Sequence, residues 1–180
     1  MEHEAERLYK GECAMKTAPK KAAAFFLAAV LVLGGIFLTR PKTKLDIDKF
    51  SGYLLTSPVY SGGMEELDRS GLAERYGGFS SSDVSGAKAF TGTDGTAREF
   101  AVIEAGSRQA ADDIQNAMGR YCRDLMLAYQ SKDPEEYERV RGFVIRRTRN
   151  YVILTISDPA GSGNRLVDSY FDQICYDKSA

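Results

Sequence analysis

The sequence predicts an α+β domain that follows an N-terminal transmembrane helix. An uncharged apolar run covers Ala22–Leu38, and two pairs of strand-like segments follow residue 86, each pair followed by a helical pattern. Helices and strands of this kind bury their apolar faces most simply by packing in layers. We therefore expect ββα-ββα order and a two-layer sandwich, in which an antiparallel sheet of two hairpins is backed by helices.

The apolar run has the character of a membrane anchor. Ala22–Leu38 holds seventeen residues without a charge, and Thr39 extends it to eighteen. A helix of that length spans about 26 Å, near the lower limit for crossing the hydrocarbon core. A buried core helix, the alternative, would carry polar residues on one face. No small-x-small cleavage site and no cysteine follows the run, so residues 22–39 are predicted to be an uncleaved signal anchor.

The anchor divides the chain into unequal parts. Residues 1–21 form a short tail, whose acidic residues 1–14 fit the pattern poorly and suggest a translation start at Met15. Residues 40–44 are a linker, residues 45–176 an extracytoplasmic domain, and residues 177–180 a tail. Four basic residues lie close to each side of the run, so charge does not decide the orientation. Because domains this long translocate largely regardless of charge, we expect a single-pass protein of the cell membrane with its C-terminal domain outside the cytoplasm.

The elements of the domain follow from local patterns. Leu45–Thr56 has helical spacing and stops before Pro58, Met64–Tyr76 is predicted as a second helix, and 77–86 is a loop. The remaining elements are predicted as strands at Ala87–Gly92, Ala97–Ala105, Gly142–Thr148 and Tyr151–Ser157, and as helices at Ser107–Tyr129, from Asp133, and at Asn164–Cys175.

Charge and histidine content exclude several classes of function. Residues 45–180 hold sixteen Lys and Arg against 21 Asp and Glu, so nucleic acid is not an expected partner. The single histidine, His3, lies outside the predicted domain, which removes histidine-based triads and general bases. Carboxylate pairs such as Glu65/Glu66 and Asp112/Asp113 are adjacent on predicted helices and so point apart. We expect no catalytic residue, no cofactor and no metal.

Three segments resemble a known family. They are EFAVIEA at 99–105, DPEEYERVRGFVIRRTRNYVILTISD at 133–158 and LVDSYF at 166–171. Together they resemble domain-of-unknown-function family 4358. This resemblance implies a small envelope protein of Gram-positive, largely clostridial, bacteria. Many members are anchored as lipoproteins, whereas here an apolar anchor replaces the lipoprotein cysteine. The family implies no catalytic residue.

Two groups of side chains are candidates for a role. The densest positive cluster contains Arg139 and the four arginines of a predicted interaction surface, Arg141, Arg146, Arg147 and Arg149. Such a cluster could face anionic lipid, teichoic acid or an acidic partner, or it could be a solvated surface balanced by the upstream acids. Cys122 and Cys175 fall on the apolar faces of their helices. They are either small buried hydrophobic residues or a disulfide that ties the two helices together.

These observations favour a non-catalytic binding or interaction module of the bacterial cell envelope. The expected partners are the membrane, through residues 22–39, and an envelope protein or wall component. Two alternatives stay open at the level of sequence. One is a wall-acting hydrolase assembled from distant Asp and Glu residues, and the other is a structural protein of envelope assembly.

Overall fold

The computed structural model describes residues 44–176, with side chains through Ile174. The predicted anchor, the tails and most of the linker lie outside the described residues. A unit that begins at Leu45 contains all the described elements. Its helices are α1 Ile47–Leu55, α2 Arg69–Tyr76, α3 Arg108–Tyr129, α4 Pro134–Arg141 and α5 Ser162–Tyr176, and its strands are β1 Met64–Glu66, β2 Val84–Gly92, β3 Glu99–Ala105, β4 Val144–Thr148 and β5 Tyr151–Ile156.

The five strands form one sheet in the order β1-β2-β3-β5-β4, and all neighbours are antiparallel. Both predicted hairpins are confirmed, as β2–β3 and β4–β5. They are joined by pairing of β3 with β5, in which Ala101 lies opposite Leu154 and Ile103 opposite Val152. The most apolar strand of each hairpin is therefore central in the sheet.

The predicted number of layers is wrong, because helices cover both faces of the sheet. On one face, which we call the α3 face, Ala101, Ile103 and Leu154 pack against α2, α3 and α4. On the opposite face, the α5 face, Phe100 and Ile153 pack against α1 and α5. Alternate residues of β3 and β5 are apolar in both directions, so a single helical layer would leave one apolar face in water. The domain is an α+β fold with three layers.

The predicted helix at Met64–Tyr76 is also corrected. Met64–Glu66 is the edge strand β1, which pairs with Phe90–Gly92, and the helix begins only at Arg69. The start is fixed by Asp68, whose carboxylate accepts a hydrogen bond from the Gly71 backbone N–H at 2.6 Å. Such an N-cap satisfies a free N–H group of the first turn. Residues 64–66 are thus free to add a strand to the sheet.

The helices predicted from Ser107 and Asp133 begin after N-caps at those residues, whereas α5 begins at Ser162, two residues before the predicted Asn164. Ser107 accepts from the Ala110 N–H at 3.0 Å at the start of α3, and Asp133 caps α4 with Pro134 at its first position. β2 begins at Val84, earlier than predicted, and its register shifts between Val84 and Gly86.

Among the described residues, none of the helices combines the length and the apolar character needed to cross a membrane.

Candidate functional site

Glu99 is a fully buried carboxylate at the start of β3. It lies on the α3 face, two residues before Ala101, and its exposure is 0 %. Removing a carboxylate from water costs several kcal/mol unless it is paired and hydrogen-bonded. The fold must therefore supply donors at this point, and they come from α2 and α3.

Three side chains donate four hydrogen bonds to Glu99. The Arg75 guanidinium donates from Nε at 3.0 Å and from Nη2 at 2.6 Å, both to Oε2. The Tyr121 hydroxyl donates to Oε2 at 2.8 Å, and the Tyr76 hydroxyl donates to Oε1 at 2.6 Å. We call Glu99, Arg75, Tyr76 and Tyr121 the Glu99 cluster. It ties α2 and α3 to the central sheet.

Ring contacts hold the cluster in one geometry. The Arg75 guanidinium carbon lies 5.3 Å from the centre of the Tyr121 ring, within the range of a cation–π contact. The Tyr76 and Tyr121 rings meet edge to face, with centroids 5.2 Å apart and planes at 87°. This arrangement is favourable for aromatic pairs. The side chains around Glu99 are thus positioned by packing as well as by hydrogen bonds.

The electrostatics of the cluster keep its tyrosines neutral. Burial, followed by the negative charge of Glu99, raises the pKa of Tyr76 well above its ordinary value, and the same causes raise the pKa of Tyr121. Burial alone would lower the pKa of Arg75. The hydrogen bond and charge of Glu99 outweigh it, so the pKa of this guanidinium rises. Within the cluster, Glu99 and Arg75 form an ion pair, and the hydroxyl groups of Tyr76 and Tyr121 donate to the same carboxylate.

A groove opens above the cluster between α2 and α3. Its volume is about 440 Å³, and its lining includes Arg75, Tyr121, Arg120, Asp124 and the apolar Leu125. That volume lies within the usual range for small-ligand sites. The remaining lining residues are Tyr76, Gly77, Gly78 and Ala128.

Arg120 supplies the exposed cation of the groove. Its guanidinium lies directly over Gly78, where a Cβ would overlap the Nη2 atom. The Gly78 φ of +72° also favours glycine. Within the described part of the chain Arg120 has no ion pair, while Arg75 is paired below it. The groove can therefore offer positive charge to a ligand without first breaking an exposed ion pair.

The structure does not gather the predicted interaction surface into one patch. Arg146 points to the α5 face, where it pairs with Asp168 and lies 5.2 Å from the Phe171 ring centre. Arg147 points to the α3 face and pairs with Asp112. Successive residues of a strand face opposite sides of a sheet, so these neighbours separate.

The other arginines of that segment are also dispersed. Arg141 pairs with Glu138 at 3.1 Å, and Arg149 occupies the β4–β5 turn with a φ of +58°. Arg139 is nearly buried and pairs with Glu136, whose Oε2 accepts a hydrogen bond from the Ala97 backbone N–H at 2.6 Å. Arg139 and Arg141 are thus engaged with carboxylates of the same domain.

The helices that carry the two cysteines pack on different faces of the sheet. Cys122 is a free, buried thiol of α3 within the core of the α3 face. Burial, followed by the charge of Glu99, raises its pKa to about 12. Cys175 belongs to α5, and its side chain lies outside those described. The burial of Cys122 is what the reading as a small buried hydrophobic residue expects, and the alternative of a Cys122–Cys175 disulfide stays a prediction.

Sequence reasoning missed the Glu99 cluster. One signal was available: in EFAVIEA, Glu99 shares a face with Ala101 and Ile103, so a buried carboxylate could be inferred from alternation. No local pattern shows its partners, since Arg75 and Tyr121 are 24 and 22 residues away in sequence. In the described residues, no group of three His, Cys, Asp or Glu side chains has the arrangement of a metal site.

The fold and its surface define an α+β domain with a groove lined by both positive and negative side chains. Residues 57–157 match the family described as Domain of unknown function (DUF4358). The match covers more than half of the chain, so the chain belongs to this family, and the predicted resemblance is confirmed. The whole Glu99 cluster and Arg120 lie within the matched residues. None of the curated proteins and none of the solved structures compared with the chain matches it.

Proposed function

We propose that this protein is a membrane-anchored, extracytoplasmic binding module of the bacterial cell envelope and that it binds its partner in the groove between α2 and α3. The observation that carries the proposal is the geometry of Arg75 and Arg120. One guanidinium is held by Glu99 and Tyr121, and the other lies over Gly78 at the surface. Because Arg75 is already held in place, it loses little conformational freedom on binding.

The arrangement favours binding over hydrolysis. A wall-acting hydrolase using two carboxylates would need both side chains within reach of one substrate bond. Among the described residues that line the groove, Asp124 is the one acid. Glu99 lies beneath it with 0 % exposure and both oxygens hydrogen-bonded. The geometry therefore gives the hydrolase alternative less support than the binding module.

The anchor is supported by the sequence. Residues 22–39 carry no charge, and basic residues lie close to both ends of the run. An uncleaved helix there would hold the domain close to the membrane through the short linker 40–44. Its partner would then be another envelope protein or a wall component.

Site-specific photo-crosslinking in intact cells tests the proposed surface. A photoreactive phenylalanine derivative at Ala128, in the groove, should give one dominant adduct with a foreign envelope component. The matched control is the same residue at Lys49 of α1, whose side chain is 79 % exposed, and it should not give that adduct. Equal adducts at both positions, or none at Ala128, would contradict the proposal. An adduct of the chain with itself would instead indicate a structural role in envelope assembly.

A further inference from the structure

We infer that the groove takes the C-terminal end of a peptide chain, with the free α-carboxylate between Arg75 and Arg120. This inference rests on the proposed binding function and specifies the ligand of that site. Its basis is the combination of two guanidinium groups, one carboxylate and an apolar wall in a single groove.

Arg75 can contact a ligand without leaving Glu99. Its Nε and Nη2 atoms donate to Glu99, and no hydrogen bond from Nη1 is found among the described residues. The side chain is 34 % exposed, although Glu99 is not exposed at all. Because Glu99 and the Tyr121 ring fix the guanidinium plane, Nη1 is a preset donor for an anionic group.

Arg120 provides the second donor group from the opposite wall. It belongs to α3, one residue before Tyr121, and its guanidinium reaches over Gly78 at the end of α2. Since no ion pair holds it within the described residues, it is available to a carboxylate at the surface. Arg75 and Arg120 line the same groove, and two guanidinium groups can together bind the two oxygens of a carboxylate.

The other lining residues favour a peptide end over an inorganic anion. Asp124 lies one turn after Arg120 on α3 and can accept a hydrogen bond from a ligand N–H. Inorganic phosphate has no side chain that could contact the apolar part of the groove. Leu125 and Ala128 form an apolar wall for the last side chain of the peptide. A carboxylate with a neighbouring N–H and a small apolar side chain satisfies all three features.

Titration calorimetry on the full chain in a neutral maltoside detergent tests this ligand class. The probes are acetyl-Ala-Ala-Ala with a free carboxylate and the same peptide with a C-terminal amide. We expect the acid to bind and the amide to bind at least about tenfold more weakly, because the amide loses the charge-assisted hydrogen bonds. R120Q should weaken binding of the acid by a similar factor. R165Q is the matched control: Arg165 is exposed on α5, so this variant should bind the acid within about twofold of the unchanged chain.

Three results would overturn the inference. They are no binding of the acid, equal binding of acid and amide, and displacement of the acid by inorganic phosphate at the same concentration as the peptide. If the Ala128 crosslink forms in cells while the peptide fails, the binding function stands and only the ligand class is wrong. If both fail, the proposed function is itself contradicted.

Discussion

At the scale of single residues, the arrangement of the candidate site depends on Glu99. It stands on the face of β3 that is otherwise lined by Ala101, Ile103 and Ala105, all buried. A bare carboxylate there would be strongly unfavourable, and four hydrogen bonds from Arg75, Tyr76 and Tyr121 offset that cost. One charged residue thereby fixes the position of two helices and of the guanidinium that lines the groove.

Glu99→Gln should destabilise the protein. An amide removes the charge that Arg75 pairs with and weakens the hydrogen bonds from both tyrosines, so we expect a loss of about 2–4 kcal/mol in the free energy of unfolding. The measurement is urea unfolding of the full chain in detergent, monitored by near-ultraviolet circular dichroism. Glu74→Gln, the same change on the exposed side of α2, is the control. A Glu99→Gln variant as stable as this control would show that the cluster does not stabilise the fold.

Cys122 should react slowly in the folded protein. A variant with Cys13 and Cys175 changed to Ser leaves Cys122 as the one thiol of the chain. Its pKa is raised to about 12 by burial and by the charge of Glu99, so the thiolate stays scarce through pH 9. Maleimide labelling at pH 7–9 should therefore be slow in buffer and complete in denaturant. Rapid labelling in buffer would place the thiol at the surface.

At the scale of elements, a glycine allows the start of α5 to pack closely against β5 on the α5 face of the sheet. The Gly163 N–H in the first turn of α5 donates to the Ser157 hydroxyl at 2.9 Å. A Cβ at Gly163 would lie only 2.9 Å from the Cβ of Thr155 and would meet the hydroxyl of Tyr60. The start of α5 can therefore approach the sheet only because this position lacks a side chain. In α1, by contrast, a Cβ at Gly52 would meet nothing within 4 Å.

Gly-to-Ala substitutions at these two positions should change stability in opposite directions. Gly52→Ala should raise the free energy of unfolding by about 0.5–1 kcal/mol, because alanine favours the helix interior. Gly163→Ala should lower it by about 1–3 kcal/mol, because the methyl group overpacks the contact with β5. Urea midpoints of the two variants and the unchanged chain give the comparison. A Gly163→Ala variant as stable as the unchanged chain would mean that α5 does not pack this closely on the sheet.

At the scale of the whole described domain, the sheet separates two environments. The α5 face holds an aromatic core, in which Tyr60 and Phe90 each lie within about 5 Å of Phe100, between ring centres. The α3 face combines an aliphatic core with the Glu99 cluster and carries the groove. The proposed binding groove and the aromatic packing of α1 and α5 are therefore on opposite sides of the sheet.

Removal of the predicted anchor should release the protein from membranes. Deletion of residues 1–39 takes away the apolar run, so the shortened chain should appear in the soluble fraction. Deletion of residues 1–14 alone is the control and should leave the protein in membranes after alkaline carbonate extraction. Membrane retention of the larger deletion would contradict the assignment of 22–39 as the anchor.

The sequence by itself determined most of the elements and the family. Periodicity and N-caps such as Ser107 and Asp133 are local features, and each acts within a few residues. The sequence predicts a helix where the edge strand Met64–Glu66 lies, because the pairing of this strand with Phe90–Gly92 is not local. Only the tertiary structure decided that helices cover both faces of the sheet. It also decided that Arg146 and Arg147 lie on opposite faces and that Arg75 and Tyr121 both contact Glu99. The physical reason is that long-range packing and the cost of a buried charge select these partners across more than twenty residues of chain.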